Sequence, residues 1–256
     1  MADELDEVKS EVAAGNRALT ELGLAAGVRA SLGHVSMRVP SDPGRFVVKG
    51  RGYRIDVLER MRPEDMVTCD LDGLWVDGPP DSVQCNEIKI HSCIYKARPD
   101  VHSVVHVHPD YTVLMSVLGQ TLKPMAQEGV QMVLHPIPVF PHTKIIESEE
   151  EGREVARLLG NGRAVLLLGH GAVTAGISVE ESVVGMALLE HQARLNYLAI
   201  CAMGVDHPSI PHDTAEAVLH IAPLKQPHFQ ARVPHLKRQT RASIWPYYRE
   251  LVSRDM

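Results

Sequence analysis

The chain has 256 residues, of which 45% are hydrophobic and 23% are charged, and its formal net charge is −6. This length and composition allow a substantial core and fit one α/β domain. The negative charge argues against a nucleic-acid partner. Its four cysteines lack CxxC or zinc-finger spacing and are expected to be reduced thiols. Neither a signal peptide nor a bilayer-spanning apolar run is present, so we expect a cytoplasmic protein with no membrane partner.

Hydrophobic periodicity gives the predicted elements in chain order. An amphipathic helix is predicted over residues 3–24, and strands are predicted over 35–39, 45–48, 66–70, 101–107 and 164–168. Asp72-Gly73 is typical of a hairpin turn. Helices are predicted over 87–97, 148–159 and 179–203. Ser178 and Glu181 have the spacing of a capping box at the start of the last helix.

Two histidines, His106 and His108, end the β-branched run of the fourth predicted strand, and Pro109 follows them. In an extended strand residues i and i+2 point to the same face, so both imidazoles leave one face about 7 Å apart. Neutral imidazoles placed in this way are suited to binding a metal ion. The alternative is that the two histidines only cap the strand, and the pair by itself leaves both interpretations open.

A third histidine, His170, lies between Gly169 and Gly171 after another apolar run. Glycines on both sides permit a sharp turn and leave the imidazole unshielded. Glu87 stands upstream, where the predicted helix 87–97 begins. Three imidazoles and one carboxylate suit zinc or a similar divalent ion with one position free for substrate. These residues are far apart in sequence, so their spacing does not establish that they converge.

Two further histidines lie close to these candidates. His91 is at i+4 from Glu87 and therefore on the same helical face, where packing is favoured over a supporting role in the site. His102 is in phase with His106 and His108, but it begins the strand and is expected to be exposed.

Taken together, the motifs resemble the class II aldolase/adducin superfamily over roughly residues 5–205. The likeness is carried by the segments Gly33-His34-Val35-Ser36-Met37-Arg38, Glu87 with His91 and Tyr95, Arg98-Pro99-Asp100-Val101, His106-x-His108-Pro109 and Gly169-His170-Gly171. The resemblance implies a single-domain, three-layer α/β/α fold with a mainly antiparallel central sheet. It also implies a homotetramer with active sites at subunit interfaces.

The resemblance also implies roles for the candidate residues. In enzymes of the superfamily two strand histidines and a later histidine bind a divalent metal, while a glutamate acts as acid/base and can bind the metal when substrate is absent. Carried over, these roles fall on His106, His108, His170 and Glu87. The implied cofactor is one divalent metal ion per subunit, with zinc favoured and manganese, cobalt or iron as alternatives. Adducin-like members lack this metal set, so its presence favours an enzyme.

Three positions depart from the pattern of the sugar-phosphate aldolases. Where those enzymes have the motif Gly-Asn-x-Ser, this chain has His34 in place of the asparagine. Their Thr/Ser-Gly turn is replaced by Lys49-Gly50-Arg51-Gly52, and their Ser-Ser-Glu segment is replaced by Cys85-Asn86-Glu87. The basic turn is expected to hold a dianion through Lys49 and Arg51, or else to be an exposed turn. We expect His34, Ser36 and Asn86 to contact the substrate. Glu128 stands where some of these aldolases supply a tyrosine from a neighbouring subunit.

These departures resemble the decarboxylase branch of the superfamily. We therefore predict a divalent-metal-dependent carbon–carbon lyase that decarboxylates a hydroxylated aromatic or heteroaromatic (di)carboxylate, as in aromatic compound catabolism. Glu87 would return a proton to carbon if a dry pocket raises its pKa. The alternative is an aldolase or epimerase acting on a small hydroxy-carbonyl or sugar-derived compound. A non-haem iron oxygenase and a non-enzymatic adducin-like interaction module are less favoured.

Two regions of unequal size are expected. Residues 1–205 would form the catalytic domain, and residues 206–256 a C-terminal arm packed on the body or on a neighbouring subunit. The aromatic segment Trp245-Pro246-Tyr247-Tyr248 favours packing of the arm over disorder.

Overall fold

The computed structural model describes residues 2–219 and 244–253. The helices are α1 (Ala2–Glu21), α2 (Ile88–Ala97), α3 (Asp110–Leu118), α4 (Val130–Val133), α5 (Glu149–Leu159), α6 (Val179–Met203), α7 (His212–Leu219) and α8 (Trp245–Ser253). The strands are β1 (Gly33–Val39), β2 (Asp42–Arg51), β3 (Met66–Asp70), β4 (Trp75–Asp77), β5 (Val83–Gln84), β6 (Ser103–Val107), β7 (Val139–Phe140), β8 (Ala164–Leu167) and β9 (Gly171–Gly176). Among the helices described, none combines the length and the apolar character needed to cross a membrane.

The strands form one mixed sheet in the order β4-β3-β2-β1-β6-β9-β8-β7, with β5 paired to the end of β2. Only the pairing of β7 with β8 is parallel, so the mainly antiparallel sheet is confirmed. β6 lies between β1 and β9, and its register places His34 opposite His106 and Ala172 opposite Val107. The start of β1, the end of β6 and the start of β9 therefore meet at one end of the sheet.

Helices cover both faces of the sheet, which confirms the three-layer architecture. Residues of α1, α3 and α6 share one buried cluster with the sheet, and residues of α2 and α5 share another. Consecutive strand residues point to opposite faces, so Val105 belongs to the first cluster and Val104 to the second. β6 is buried along its whole length, as expected for a central strand covered on both sides.

Helix α1 ends three residues before its predicted limit because a glycine terminates it. Gly23 adopts a φ of +73°, in the left-handed region that a residue with a Cβ rarely occupies. The Leu24 N–H then bonds to the Leu19 carbonyl and the Gly23 N–H to the Thr20 carbonyl. This pair of bonds is the Schellman motif, and it closes the helix.

Helix α6 spans Val179–Met203, which matches the predicted range. The Ser178 hydroxyl accepts a hydrogen bond from the Glu181 N–H at 3.1 Å. The Glu181 carboxylate accepts from the Ile177 N–H at 2.8 Å instead of returning to Ser178. The predicted capping box is therefore formed only in its serine half.

Two predictions about strands were incomplete. The segment from Lys49 to Gly52 is not a turn, because β2 continues to Arg51 and Gly50 pairs with Gln84 of β5. Strand β9, between β6 and β8, was not predicted at all. Its sequence, Gly171-Ala-Val-Thr-Ala-Gly176, has little of the apolar and β-branched character that marks strands.

The C-terminal helix α8 packs against α1. The indole Nε1 of Trp245 donates to Glu11 Oε1 at 2.9 Å, and Arg249 Nε lies 2.8 Å from Glu11 Oε2. Tyr247 is exposed on this helix. Residues 220–243 of the predicted arm lie outside the described residues, and the division into 1–205 and 206–256 stays a prediction.

Candidate metal centre

Four side chains from distant parts of the sequence converge at the end of β6. His106 lies in β6 and His108 just after it, His170 lies in the turn between β8 and β9, and Glu87 immediately precedes α2. Their ligand atoms all lie within 4.8 Å of one another. The structure thus brings together the groups whose spacing in sequence left convergence open.

The Glu87 carboxylate lies at the middle of this cluster. Its Oε2 is 3.1 Å from His106 Nε2 and 3.5 Å from His170 Nε2. His106 Nε2 is also 3.0 Å from His108 Nε2. The other carboxylate oxygen, Oε1, accepts a hydrogen bond from the Ile146 N–H at 3.0 Å, which holds the side chain in place.

The donor atoms fit a divalent metal ion. His106 Nδ1–H donates to the Ala172 carbonyl at 3.0 Å, which leaves the lone pair on Nε2, directed into the cluster. Nitrogen lone pairs and a carboxylate oxygen at such distances repel unless a proton or a cation lies among them. Three imidazoles and one carboxylate are ligands that zinc and related ions accept.

The backbone at Gly171 is shaped around the histidine rings. A Cβ on this residue would lie 2.6 Å from the Val107 carbonyl oxygen, 3.0 Å from His106 Cε1 and 3.0 Å from His108 Cδ2. Any side chain here would push the two rings or the strand backbone aside. The glycine that sequence analysis associated with a turn therefore provides space for the cluster.

Burial and neighbouring charges set the protonation of the cluster. Burial, together with the nearby His106 and His170, lowers the pKa of His108 to about 3. His108 is therefore neutral at pH 7, the form that binds metals. For Glu87, burial pushes the pKa upward, but the neighbouring His106 and His170 outweigh it and hold the pKa well below its usual value. The expectation of a raised Glu87 pKa was wrong.

His34 and Ser36 differ in their access to the site. The His34 ring lies 5.2 Å from that of His106 and keeps slight exposure, at 6%. Its Nδ1 is 2.6 Å from His91 Nε2. Ser36 is fully buried, and its hydroxyl contacts His91 Nδ1 at 2.6 Å. Direct contact of Ser36 with the substrate was expected, but His91 and His34 stand between Ser36 and the cluster.

Lys49 and Arg51, at the end of β2, share one carboxylate. Lys49 Nζ is paired with Asp56 Oδ1, and Arg51 Nε lies 3.4 Å from Asp56 Oδ2. The Lys49 side chain is only 2% exposed, whereas that of Arg51 is 42% exposed. Lys49 therefore does not fit the alternative of an exposed basic turn. Both cations act on buried Cys85, where they partly oppose the raising of its thiol pKa by burial.

Asn86 and Glu128 are both exposed, but they occupy different places. Asn86 adjoins Glu87 at the start of α2. Glu128 lies before α4, and its backbone carbonyl accepts from Gln192 Nε2 of α6 at 2.7 Å. In the described part of the chain, no hydrogen bond or ion pair joins the Glu128 side chain to the cluster.

Sequence reasoning gave little weight to His91, and it missed Asp56. His91 was expected to pack, yet it contacts both His34 and Ser36. Its helical spacing from Glu87 was a usable signal, since it placed both side chains on one side of the start of α2. Asp56 had no such signal, because it lies in an irregular segment after β2.

The match to a family model agrees with this geometry. Residues 10–197 match the Class II Aldolase and Adducin N-terminal domain. The chain belongs to this family. It is 29% identical over 200 residues to the 3,4-dihydroxyphthalate decarboxylase of Terrabacter sp. (strain DBF63), covering 75% of this chain and 82% of that protein. The resemblance to the decarboxylase branch is thereby confirmed.

Two solved structures share the fold. The aldolase II superfamily protein from Pseudomonas syringae has a TM-score of 0.74 and 23% identity, with 93% of both chains covered. The L-fuculose 1-phosphate aldolase from Glaciozyma antarctica PI12 has a TM-score of 0.71 and 22% identity, again with 93% of both chains covered. At these identities the likeness shows the fold alone. Family membership and the complete donor set together make this protein an enzyme of the class II aldolase superfamily.

Proposed function

We propose that the protein is a divalent-metal-dependent carbon–carbon lyase that decarboxylates a hydroxylated aromatic or heteroaromatic dicarboxylate. The convergence of His106, His108, His170 and Glu87 carries the metal-dependent part of this proposal. The decarboxylation part is supported by the similarity to 3,4-dihydroxyphthalate decarboxylase. It is also supported by Arg51 at the end of β2, whose partly exposed guanidinium suits a carboxylate-bearing substrate.

His106, His108, His170 and Glu87 would hold the divalent ion, which would supply a Lewis acid for the negative charge that develops on the substrate when a carbon–carbon bond breaks. Arg51, whose side chain is 42% exposed, binds a substrate carboxylate, since a guanidinium forms strong charge-assisted hydrogen bonds with it. Lys49 is buried against Asp56 and supports Arg51 through that shared carboxylate. His34 contacts a substrate oxygen beside the cluster. Asn86, exposed next to Glu87, lines the entrance to the site.

Glu87 moves the proton. Its carboxylate lies among the three imidazoles and is placed to accept the proton of a substrate hydroxyl. As carbon dioxide leaves, the electron pair of the broken bond remains on the ring carbon, and the same proton passes from Glu87 to that carbon. The phenolic oxygen regains a proton from solvent. The overall reaction consumes one proton and releases one carbon dioxide.

We also propose the assembly and setting that the resemblance implies. These are a cytoplasmic homotetramer with active sites at subunit interfaces, one metal ion per subunit and a small anionic substrate. Zinc is the favoured metal, with manganese, cobalt or iron as alternatives. Glu128 would then act in the site of a neighbouring subunit.

The proposed function can be tested by incubating the metal-loaded protein anaerobically with 3,4-dihydroxyphthalate, other ortho-hydroxylated aromatic dicarboxylates and hydroxy-aldehyde donors. We expect metal-dependent release of carbon dioxide, which falls by about a thousandfold or more in His106→Ala. His102→Ala is the matched control. This histidine lies just before the same strand, and its imidazole makes no hydrogen bond to the cluster in the described structure.

The other outcomes are distinct. An aldehyde released without carbon dioxide would move the assignment to aldolase, and activity that requires oxygen would move it to an oxygenase. Arg51→Ala should raise KM by about tenfold, the size of one lost charge-assisted hydrogen bond. An unchanged KM and turnover in this variant would contradict the carboxylate-binding role of Arg51.

A further inference from the structure

A line of hydrogen-bonded side chains runs from the metal centre into the core. His34 Nδ1 lies 2.6 Å from His91 Nε2, and His91 Nδ1 lies 2.6 Å from Ser36 Oγ. Ser36 Oγ lies 2.7 Å from the Tyr95 hydroxyl. His91 and Ser36 are fully buried, Tyr95 is 1% exposed, and only His34 keeps contact with the site. The four residues form a continuous polar path enclosed by protein.

Two elements supply this path, and neighbouring side chains pack against it. β1 contributes His34 and Ser36, two residues apart on one strand face, and α2 contributes His91 and Tyr95, four residues apart on one helical face. The Phe46 ring stacks on His91 with an interplanar angle of 16°. The guanidinium of Arg38 lies over the Tyr95 ring, 4.7 Å from its centre.

The far end of the path determines the direction of its hydrogen bonds. Burial raises the pKa of Tyr95 far above its usual value, so its hydroxyl keeps its proton. That proton has a good acceptor in Ser36 Oγ at 2.7 Å and a poor one in the His102 carbonyl at 3.5 Å. Ser36 in turn donates to His91 Nδ1 at 2.6 Å, because the Val104 carbonyl is 3.5 Å away.

The two imidazoles extend this direction to the site. An imidazole that accepts at Nδ1 is neutral and carries its one proton on Nε2. His91 therefore donates from Nε2 to His34 Nδ1, and His34 must carry its own proton on Nε2. Within the described residues this last nitrogen has no hydrogen-bond partner. It is the one atom of the path left to meet a ligand.

We propose that Tyr95, Ser36 and His91 are positioning residues that fix His34 as the Nε2–H tautomer, so that His34 presents a hydrogen-bond donor to an anionic substrate oxygen. The substrate class is therefore one with a carboxylate or phenolate oxygen at this position, since a charged acceptor forms the stronger bond. The identity of the reaction rests on the proposed function, but the tautomer of His34 is independent of it.

Neutron diffraction on the metal-loaded protein tests the proposal without any substitution. We expect deuterium on Nε2 of both His34 and His91 and on the Tyr95 hydroxyl, directed at Ser36. Deuterium on His34 Nδ1 would overturn the proposal. So would a second metal ion held by His34, Cys85 and His91, whose ligand atoms also lie within 4.8 Å of one another. Metal analysis giving two ions per chain would report that outcome.

Binding of phthalate, a dianion that carries only acceptor oxygens at pH 7, provides the second measurement. In Ser36→Ala, His91 loses the donor that fixes its tautomer, so His34 can present a lone pair that repels the ligand. Calorimetry should show the dissociation constant for phthalate rising by about tenfold, with unchanged metal content. Ser92→Ala is the matched control, because Ser92 is equally buried in α2 and is not bonded to the path.

A double-variant cycle separates tautomer control from a packing role. In His34→Asn the amide carries its own donors and has no tautomer to fix. Adding Ser36→Ala to this variant should change phthalate binding by less than about twofold. If Ser36→Ala does not fold, Tyr95→Phe, which removes one hydroxyl from the end of the path, takes its place in the same cycle. Effects that simply add, or equal losses in Ser92→Ala, would overturn the proposal.

Failure of this proposal differs from failure of the proposed function. Neutron positions and phthalate binding need no turnover, so they can support the tautomer even if no carbon dioxide is released. Carbon dioxide release combined with unaltered phthalate binding in Ser36→Ala would keep the decarboxylase and remove the tautomer control. Absence of phthalate binding by the parent protein would overturn the predicted preference for an anionic oxygen.

Discussion

At the residue scale, the metal centre depends on an absent side chain as much as on the four that are present. Gly171 packs against the Val107 carbonyl and the rings of His106 and His108, and it has no room for a methyl group. The rings of His106 and His108 can take these positions because this part of β9 is bare backbone. The constraint is steric, because every other amino acid carries a Cβ that would clash with these atoms.

We predict that Gly171→Ala folds but binds metal at least about tenfold more weakly than the parent, because the methyl group displaces the histidine rings. Metal affinity is measured by competition with a chelator, and folding by circular dichroism. Gly185→Ala in α6 is the control, since its added Cβ would only reach Met132 at 3.7 Å. Parent-like metal affinity in Gly171→Ala would contradict the steric argument.

The candidate residues could be identified from sequence to different degrees. His106 and His108 could, because i and i+2 on a strand share a face whatever the rest of the fold does. The role of Ser36 could not be deduced from sequence. Ser36 contacts His91 and not the substrate, and this contact depends on His91 reaching it from another element. The low pKa of Glu87 depends on two imidazoles within 3.5 Å, which no local pattern contains.

At the element scale, helix α3 is fixed by a side chain from another helix. The Glu190 carboxylate of α6 accepts from the N–H groups of Tyr111 and Thr112 at 2.9 and 2.8 Å, and from the Thr112 hydroxyl at 2.6 Å. These donors belong to the first turn of α3, which would otherwise leave them unpaired. α3 begins two residues after His108, so this cap also restrains one side of the metal centre.

We predict that Glu190→Ala lowers the free energy of unfolding by about 1–3 kcal/mol, because it leaves the donors at the start of α3 unpaired. Urea denaturation measures the change. Glu154→Ala, which removes an exposed ion pair with Arg157, is the control and should change stability little. A loss for Glu190→Ala no larger than that for Glu154→Ala would exclude the capping role.

The Glu190 carboxylate should also make the free energy of unfolding depend on pH, in a direction that its pKa determines. Burial raises the pKa of Glu190 above 4.5, and the hydrogen bonds from Thr112 and Tyr111 only partly oppose it. The folded protein then holds a proton that the unfolded chain has released, so its stabilising contribution is complete below pH 4.5 and is lost as pH rises through the folded pKa. Glu190→Gln, neutral throughout, should gain stability relative to the parent between acidic and neutral pH.

Elements with strong local signals were predicted well. α6 matches its predicted range because Ser178 caps its start and apolar residues recur at helical spacing. β9 was missed because its strand character comes from position, between β6 and β8, and not from composition. β2 was ended too early for a similar reason. Its last residues pair with β5, a strand too short to be recognised alone.

At the scale of the whole molecule, the site depends on strand order. β1, β6 and β9 are separated by long stretches of sequence, yet they are neighbours in the sheet. Such pairings are non-local, so periodicity cannot reveal them, and the three-layer fold was predicted only through the family resemblance. The same limit applies to assembly, because nothing within one chain determines which side chains a neighbouring subunit contributes.

Glu128 provides a test of assembly, because it is exposed and lies apart from the cluster of its own chain. If active sites form between subunits, Glu128→Ala and His106→Ala should each be nearly inactive alone, yet co-expression should restore about a quarter of parental activity in mixed oligomers. Restoration occurs where an intact metal centre meets an intact Glu128 from its neighbour. His106→Ala with His108→Ala is the control, since both changes destroy the same centre and cannot complement. Activity in the first mixture no higher than in the control would place Glu128 outside the neighbouring site.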